Sequence, residues 1–454
     1  MNSGILRVSL KGAILFLATL CFAPQTWAVP SFARQTGLAC NACHTVAPQL
    51  NAFGRYFKLH GYVLGPDKLS GGTDQLSIDK FPPLSAMVIV SDTQTSKAQP
   101  DSAVAGAGAQ NGTVAFPQQL SMFYAGAIAE HMGAFAQITY EQPADHFSMD
   151  NTDIRYARDA NWGDHAAVWG VTINNNPTVQ DVWNSTPAWG YPYISSGVAP
   201  GPAAAPLLAG ALAQNAAGAG VYAWLDNTWY GEFTLYRSSP TGAAQPVDST
   251  SSAVIANVAP YFRGAWEHAW AGTAGQNDLE IGLIGMSVHQ YPGGGNALSG
   301  TTDDYRDTGV DTQYQYITGT DSFALHASYI HEQQDLNASG AVGASAASDH
   351  LNYWTANASY YWDGAYGPTL GYFNTTGSTD PLLYAPAPLN GSATGSPDSS
   401  GWIAQWTWLP SMNVQVTAQY TWYDKFNGAS SNYDGSGRKA SDNNTLYLAL
   451  WLLW

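Results

Sequence analysis

Cys40 and Cys43 are separated by two residues, and His44 follows at once in the run Cys40-Asn41-Ala42-Cys43-His44. Two thiols at this spacing can each add across one vinyl group of a porphyrin, and the imidazole next in line can then reach the iron. The pattern predicts covalent attachment of one c-type haem through Cys40 and Cys43, with His44 as the proximal iron ligand. A plain C-x-x-C disulfide or redox pair is the other reading of the same spacing. A zinc site needs a second pair of ligands, and the one further cysteine is Cys21.

A haem iron also needs a sixth ligand or an open position. His60 and Met87 are the nearest suitable side chains in sequence. Met/His ligation raises the potential of a haem. Each has a plain alternative: His60 as a helix-end histidine bonded to a carbonyl, Met87 as an apolar filler. Met122, Met149 and His326 stay open as more distant candidates. No catalytic residue is assigned. The Asp145-His146 and Asp303-Asp304 pairs, expected in outer loops, are weak candidates for Fe(II) contacts. No phosphate-binding loop, nucleophile elbow or glycosidase pair is found.

The elements that would hold this motif begin with an export signal. Arg7 and Lys11 precede an apolar stretch from Gly12 to Ala23, and Thr26-Trp27-Ala28 supplies small residues at a cleavage site. Cleavage after Ala28 removes Cys21 and leaves both remaining cysteines in the C-x-x-C-H run. The organisation expected is residues 1–28 as signal peptide, 29–80 as a haem-carrying segment and 81–454 as a second, larger unit. The segment is short of core material for a free-standing domain. Its helical stretch, Pro48 to Gly61, sets Leu50, Phe53 and Phe57 on one face, and Gly61 ends it.

Composition restricts the larger unit. Charged residues make up 11% of the chain, against about a quarter in ordinary soluble proteins. No apolar run after the N-terminus approaches the ~20 residues of a membrane helix. Apolar surface without membrane helices leaves the closed β-barrel as the main spanning option. The formal net charge of −17 and the absence of a basic patch exclude a nucleic-acid partner.

After Phe81-Pro82-Pro83 the chain alternates with period two up to its last residue. In Thr228–Arg237, Trp229, Phe233 and Leu235 share one face while Tyr230, Glu232 and Thr234 share the other. Met412, Val414, Val416, Ala418, Tyr420 and Trp422 alternate with Asn413, Gln415, Thr417, Gln419 and Thr421 in the same way. About sixteen such segments follow one another, joined alternately by short turns and by long Gly/Ala/Ser/Pro loops, as in outer-membrane barrels. Residues 176–217 and 377–400 are two of the long loops and are expected outside. Trp266, Trp270, Trp354, Trp362, Trp422 and Trp454 fall on the apolar phase and suit an aromatic girdle. Glu141, Asp153, Arg155, Glu232, Arg263 and Glu267 fall on the lumen phase, where pairing with one another or with the haem segment is the expectation. The terminal run Thr445–Trp454 is a strongly apolar closing strand.

Phe32-Ala33-Arg34-Gln35-Thr36-Gly37, the C-x-x-C-H run, and Phe53-Gly54-Arg55 with Phe57-Lys58-Leu59 and Gly61-Tyr62 resemble the N-terminus of the fused monohaem cytochrome–porins of the bacterial outer membrane. The resemblance implies an iron oxidase-like oxidoreductase working by one-electron transfer. Its donor would be extracellular, ferrous iron in the best-known members, and its acceptor a periplasmic carrier such as a cytochrome c or a blue copper protein. The fold expected is all-β: a transmembrane antiparallel barrel of about sixteen strands with a small N-terminal α-helical haem plug inside the barrel or at its periplasmic mouth, in contact with outer-membrane lipid. The rival expectation is a diffusion porin with a redox-sensitive, haem-bearing plug.

Overall fold

The computed structural model describes residues 29–64, 82–99, 112–141, 146–210, 212–238, 254–292, 300–341 and 344–454. The export signal, Asp145 and the boundary near residue 80 lie outside them. Among the described residues no helix is long and apolar enough to cross a membrane.

Two short helices form the N-terminal segment: α1 (Pro30–Thr36) and α2 (Ala52–Leu59). Between them lie a single 3₁₀ turn, Cys40–Ala42, and a small hairpin of His44–Val46 with Gln49–Leu50. The barrel strands follow. The first eight are β1 (Leu84–Thr95), β2 (Thr113–Ala129), β3 (Met132–Glu141), β4 (His146–Trp162), β5 (His165–Asn174), β6 (Ala216–Leu225), β7 (Trp229–Ser238) and β8 (Ala259–Ala271). The rest are β9 (Gln276–Tyr291), β10 (Asp303–Ile317), β11 (Ser322–Asp335), β12 (Ser348–Tyr361), β13 (Tyr366–Gly377), β14 (Ser399–Ser411), β15 (Val414–Lys425) and β16 (Thr445–Leu453). Each pairs antiparallel with its neighbours in sequence, and β16 returns to β1 through a register that runs from Thr445 opposite Thr95 to Leu453 opposite Met87. A two-residue strand, Val254–Ile255, adds to the rim beside β9. The sheet is thus a closed, porin-like barrel of sixteen strands.

The period-two pattern decides which way each side chain points. On β7, Trp229, Phe233 and Leu235 are exposed on the outer wall, whereas Tyr230, Glu232 and Thr234 are buried in the lumen. An apolar exterior around a polar interior matches a lipid environment, where closure leaves no unpaired strand edge. Trp270, Trp354 and Trp454 are exposed on this exterior. Met412 departs from the expected strand: it falls in the turn between β14 and β15, and is buried.

The short connections gather at one end, including the turns at Glu130–His131, Gly163–Asp164 and Asp226–Thr228. The plug, residues 29–64, sits inside that mouth. Ser31 N donates to Ser85 Oγ at 3.0 Å, fixing α1 to β1. Gln35 links Tyr62 O at 2.8 Å to Ala127 N at 3.0 Å, tying the end of the plug to β2. Gly133 lets the chains touch, because a Cβ there would collide with the Gly61 carbonyl oxygen.

The connection from Asn175 to Asn215, expected as an outer loop, instead folds into the lumen. Val179, Val182 and Trp183 are fully buried there. Its sequence carries apolar and aromatic side chains that an exposed loop would leave in water. Inside, Asp181 lies 3.1 Å from Arg263 of β8, and Trp183 Nε1 donates to Glu267 Oε2 at 3.0 Å. Plug and inner loop together occupy the barrel interior.

Candidate functional site

The C-x-x-C-H run folds as the sequence order requires for a two-thiol attachment. Cys43 N donates to Cys40 O at 3.0 Å, so the two thiols belong to one tight turn. Cys40 is buried, and Cys43 is partly exposed. Burial pushes the Cys43 thiol up to about 11 and the Cys40 thiol higher still.

His44 Nδ1 lies 3.3 Å from Gln49 O. A carbonyl only accepts, so Nδ1 carries the proton and Nε2 keeps its lone pair, which is the orientation a metal-binding imidazole requires. Gln49 is itself buried and pinned: Thr45 Oγ1 donates to its Oε1 at 2.9 Å, and its amide donates to the Tyr193 hydroxyl of the inner loop.

Helix α2 is built around this turn. Asn51 caps it, accepting from Gly54 N at 3.0 Å, and its Nδ2 donates back to Ala42 O at 3.0 Å. Gly54 lies where a Cβ would collide with the Cys43 carbonyl oxygen, so only glycine lets the helix pass this close. The buried face of α2 is Gly54, Arg55, Phe57, Lys58 and Leu59. Phe53, expected on the buried face, points out and is 37% exposed. Two cations have taken the inner face because the lumen offers them partners.

Arg55 lies 2.7 Å from Glu267 of β8 and 2.8 Å from Asp278 of β9. It also donates to Gln315 of β10 at 3.1 Å. Lys58 Nζ donates to Val179 O at 2.6 Å and Asp181 O at 3.2 Å, and stands 5.1 Å from the Trp189 ring centre. The Tyr62 hydroxyl donates to Asp153 Oδ2 at 2.7 Å, the oxygen that also receives Arg155 Nε at 2.6 Å. Asp153, Arg155, Arg263 and Glu267 are therefore paired lumen charges, and Glu232 accepts from Tyr230 and Thr234. Glu141 is different: it is exposed at the end of β3.

The sixth-ligand candidates separate. His60 Nδ1 bonds Tyr56 O at 2.7 Å and Nε2 bonds Asp159 at 3.0 Å, so both ring nitrogens are engaged at the barrel wall. Met87 faces the lumen in an apolar patch with Ile89 and Phe123, against which Phe32 of the plug packs. Met122 points outward and is exposed. Met149 lies near the long-loop end of β4, far from the turn end that holds the plug, and His326 is hydrogen-bonded to Gln313 and Asn357. The Asp303-Asp304 pair begins β10 rather than lying in a loop: Asp303 accepts from Ala338 N and Ser339 N, and Asp304 bonds His289.

The residues present fit a covalently held haem in their chemistry: two thiols on one turn and, next in the chain, an imidazole whose Nδ1 is held by a carbonyl. The docking residues Arg55, Lys58 and Tyr62 escaped sequence reasoning as a set. Their signal was two cations on a helix whose barrel carries an acidic lumen phase.

No protein-family model matches the chain, and no curated protein matches it. Among solved structures it is similar to the outer-membrane expressed OmpT of Vibrio cholerae, at 10% identity over 82% of this chain and 97% of that one, with a TM-score of 0.44. An anion-selective porin from Comamonas acidovorans gives 11% identity, 82% and 98% coverage, and a TM-score of 0.45. The outer membrane channel DcaP of Acinetobacter baumannii gives 10% identity, 82% and 96% coverage, and 0.42. A likeness at this level bears on neither substrate nor activity.

Proposed function

We propose that this protein is a haem-bearing, plugged barrel of the bacterial outer membrane that passes single electrons from an extracellular donor to a periplasmic carrier. The observation that carries the reading is the seating of the Cys40–His44 turn within the barrel by buried charge, through Arg55 to Glu267 and Asp278. Cys40 and Cys43 would hold the haem and His44 would be one axial ligand. Met87, rather than His60, is the candidate on the lumen side for the other. Bound there, haem supplies a one-electron couple tuned by its axial ligands, burial and hydrogen bonds.

The barrel's task is positional. A hydrocarbon layer ~30 Å thick separates an outside donor from the periplasm. A plug seated in the lumen shortens that separation, and Gln49 fixes the orientation of His44 within it. The sequence resemblance to cytochrome–porins supports ferrous iron as the donor and a cytochrome c or blue copper protein as the acceptor. The rival is a diffusion porin with a redox-sensitive, haem-bearing plug, in which solutes would pass the plug and the inner loop.

The test is direct. Cys40→Ala with Cys43→Ala should abolish covalent haem staining while the barrel still assembles. Whole cells carrying the intact protein should show reduction of its haem band by a membrane-impermeant ferrous chelate. Covalent haem persisting in the double variant, or a haem band that the chelate never reduces, rejects the reading.

A further inference from the structure

The short-turn mouth of the barrel presents a face that the interior chemistry does not use. Phe53 and Tyr56 of α2 are 37% and 38% exposed, and their rings stack at 6.5 Å. They lie on the outer side of the helix whose inner side meets the Cys40–His44 turn. Around them the barrel rim is acidic. Glu130, Asp164 and Asp226 are exposed in three different turns, and Asp159 is exposed at the end of β4. Among the described residues the exposed cations near this mouth are Arg34, which donates to Leu84 O, and Arg158, which packs over the Tyr156 ring. Three histidines of the rim are committed to its acids, His131 to Glu130, His165 to Asp226 and His60 to Asp159, while His268 stacks between Trp266 and Trp270.

Between plug and wall the rim opens into a cleft of about 330 Å³, lined by Tyr56, Asp159, Asn161, Trp224 and Asn227 among others. Trp224 is 4% exposed and its indole N–H has no partner. The cleft therefore combines a carboxylate with two aromatic rings, a lining that suits a lysine or arginine.

We propose that this mouth is the docking face for a small soluble electron carrier whose redox edge is ringed by basic side chains. The partner's class rests on the electron-transfer reading above; the surface itself rests on the exposed rings and the acidic rim. Aromatic centre and charged rim are the usual anatomy of a specific interface. Rim charges act mainly on encounter rate and salt dependence, which suits a carrier that must bind, exchange and leave.

The experiment uses the full-length, haem-loaded protein in lipid nanodiscs. The probe is a lysine-rich mitochondrial-type cytochrome c, compared with the same probe after lysine acetylation. Glu130→Gln with Asp159→Asn and Asp226→Asn should raise Kd about tenfold at low salt and flatten its salt dependence. Phe53→Ser with Tyr56→Ser should raise Kd while leaving the salt dependence in place. Neutralising Asp304, Asp335 and Asp424 at the opposite end should change Kd less than twofold. Equal loss from the opposite-end variant, no loss from the rim variant, or undiminished binding of the acetylated probe overturns the docking face. The absorption spectrum of the same preparation separates the two ideas. A preparation without covalent haem rejects the electron-transfer reading, and the partner class with it, at any affinity.

Discussion

The Arg55 guanidinium and the Glu267 carboxylate meet 2.7 Å apart inside the barrel, joining residues 212 positions apart in sequence. Arg55 is fully buried and Glu267 nearly so. Breaking a buried pair by removing one partner costs about 3–5 kcal/mol, because the other charge is left stranded. Arg55→Met should therefore undock the plug while the barrel keeps its heat-dependent shift on gels. Limited proteolysis from the turn side should then cut within residues 29–64 of the variant and spare the same residues of the parent protein.

Gly54 offers a sharper probe of the thiol turn. Gly54→Ala places a methyl group against the Cys43 carbonyl oxygen, and helix or turn must move. Covalent haem staining should fall steeply. Gly264→Ala, on a barrel strand with open space around its Cβ, should leave staining unchanged. Equal staining in both variants means that the turn and α2 do not need their close approach.

Lys58 makes docking depend on pH. Burial, the largest influence, lowers its pKa to about 7; Arg155 lowers it further, while Asp153, Asp181 and Glu232 partly restore it. Undocked, the amine titrates near 10.4. Between these values the undocked plug binds more protons, so docking strengthens as pH rises from 7 towards 10 and is weakest below 7. Protease resistance of the plug should therefore increase from about pH 6 to about pH 9. Lys58→Met should flatten that rise; an unchanged profile in the variant assigns the effect to other groups.

The inner loop lies across the lumen, where Asp181 and Trp183 meet β8. Replacing residues 177–213 by a short Gly/Ser linker removes Trp183 and Asp181 from the lumen, and Arg263 keeps Glu280 and Asp311 as partners. Single-channel conductance in planar bilayers should rise several-fold above a low parental value. A parent that already conducts like an open pore supports the diffusion reading.

The barrel was legible because its code is local. Alternation on β7 alone separates Trp229, Phe233 and Leu235 from Tyr230, Glu232 and Thr234, and strands such as Leu84–Thr95 and Tyr366–Gly377 begin where the pattern begins. The C-x-x-C-H run was equally local. What escaped depended on distant partners. Nothing near Arg55 announces Glu267 or Asp278, so α2 read as an amphipathic helix with Phe53 inside. The path of residues 175–215 has no period to follow; Val179, Val182 and Trp183 were its one hint, since apolar side chains in the middle of a loop need cover. Tyr230 and Tyr361 of the wall share clusters with Leu59 and Val46 of the plug, whereas Tyr353 packs in a different cluster.

The ring closes only when β16 lies against β1, and β16 is the last of the sixteen barrel strands in chain order. The plug is the first described part of the chain, and its Cys40 is 1% exposed in the folded protein. Its final neighbours come from β4, β8, β9, β10 and the inner loop, none of which exists as a surface until the ring forms. Any enzyme that joins a cofactor to Cys40 must therefore act on an unsealed chain. If Cys40 carries a haem as proposed, thioether chemistry comes first and circular closure second, with the interval between them as the time for attachment.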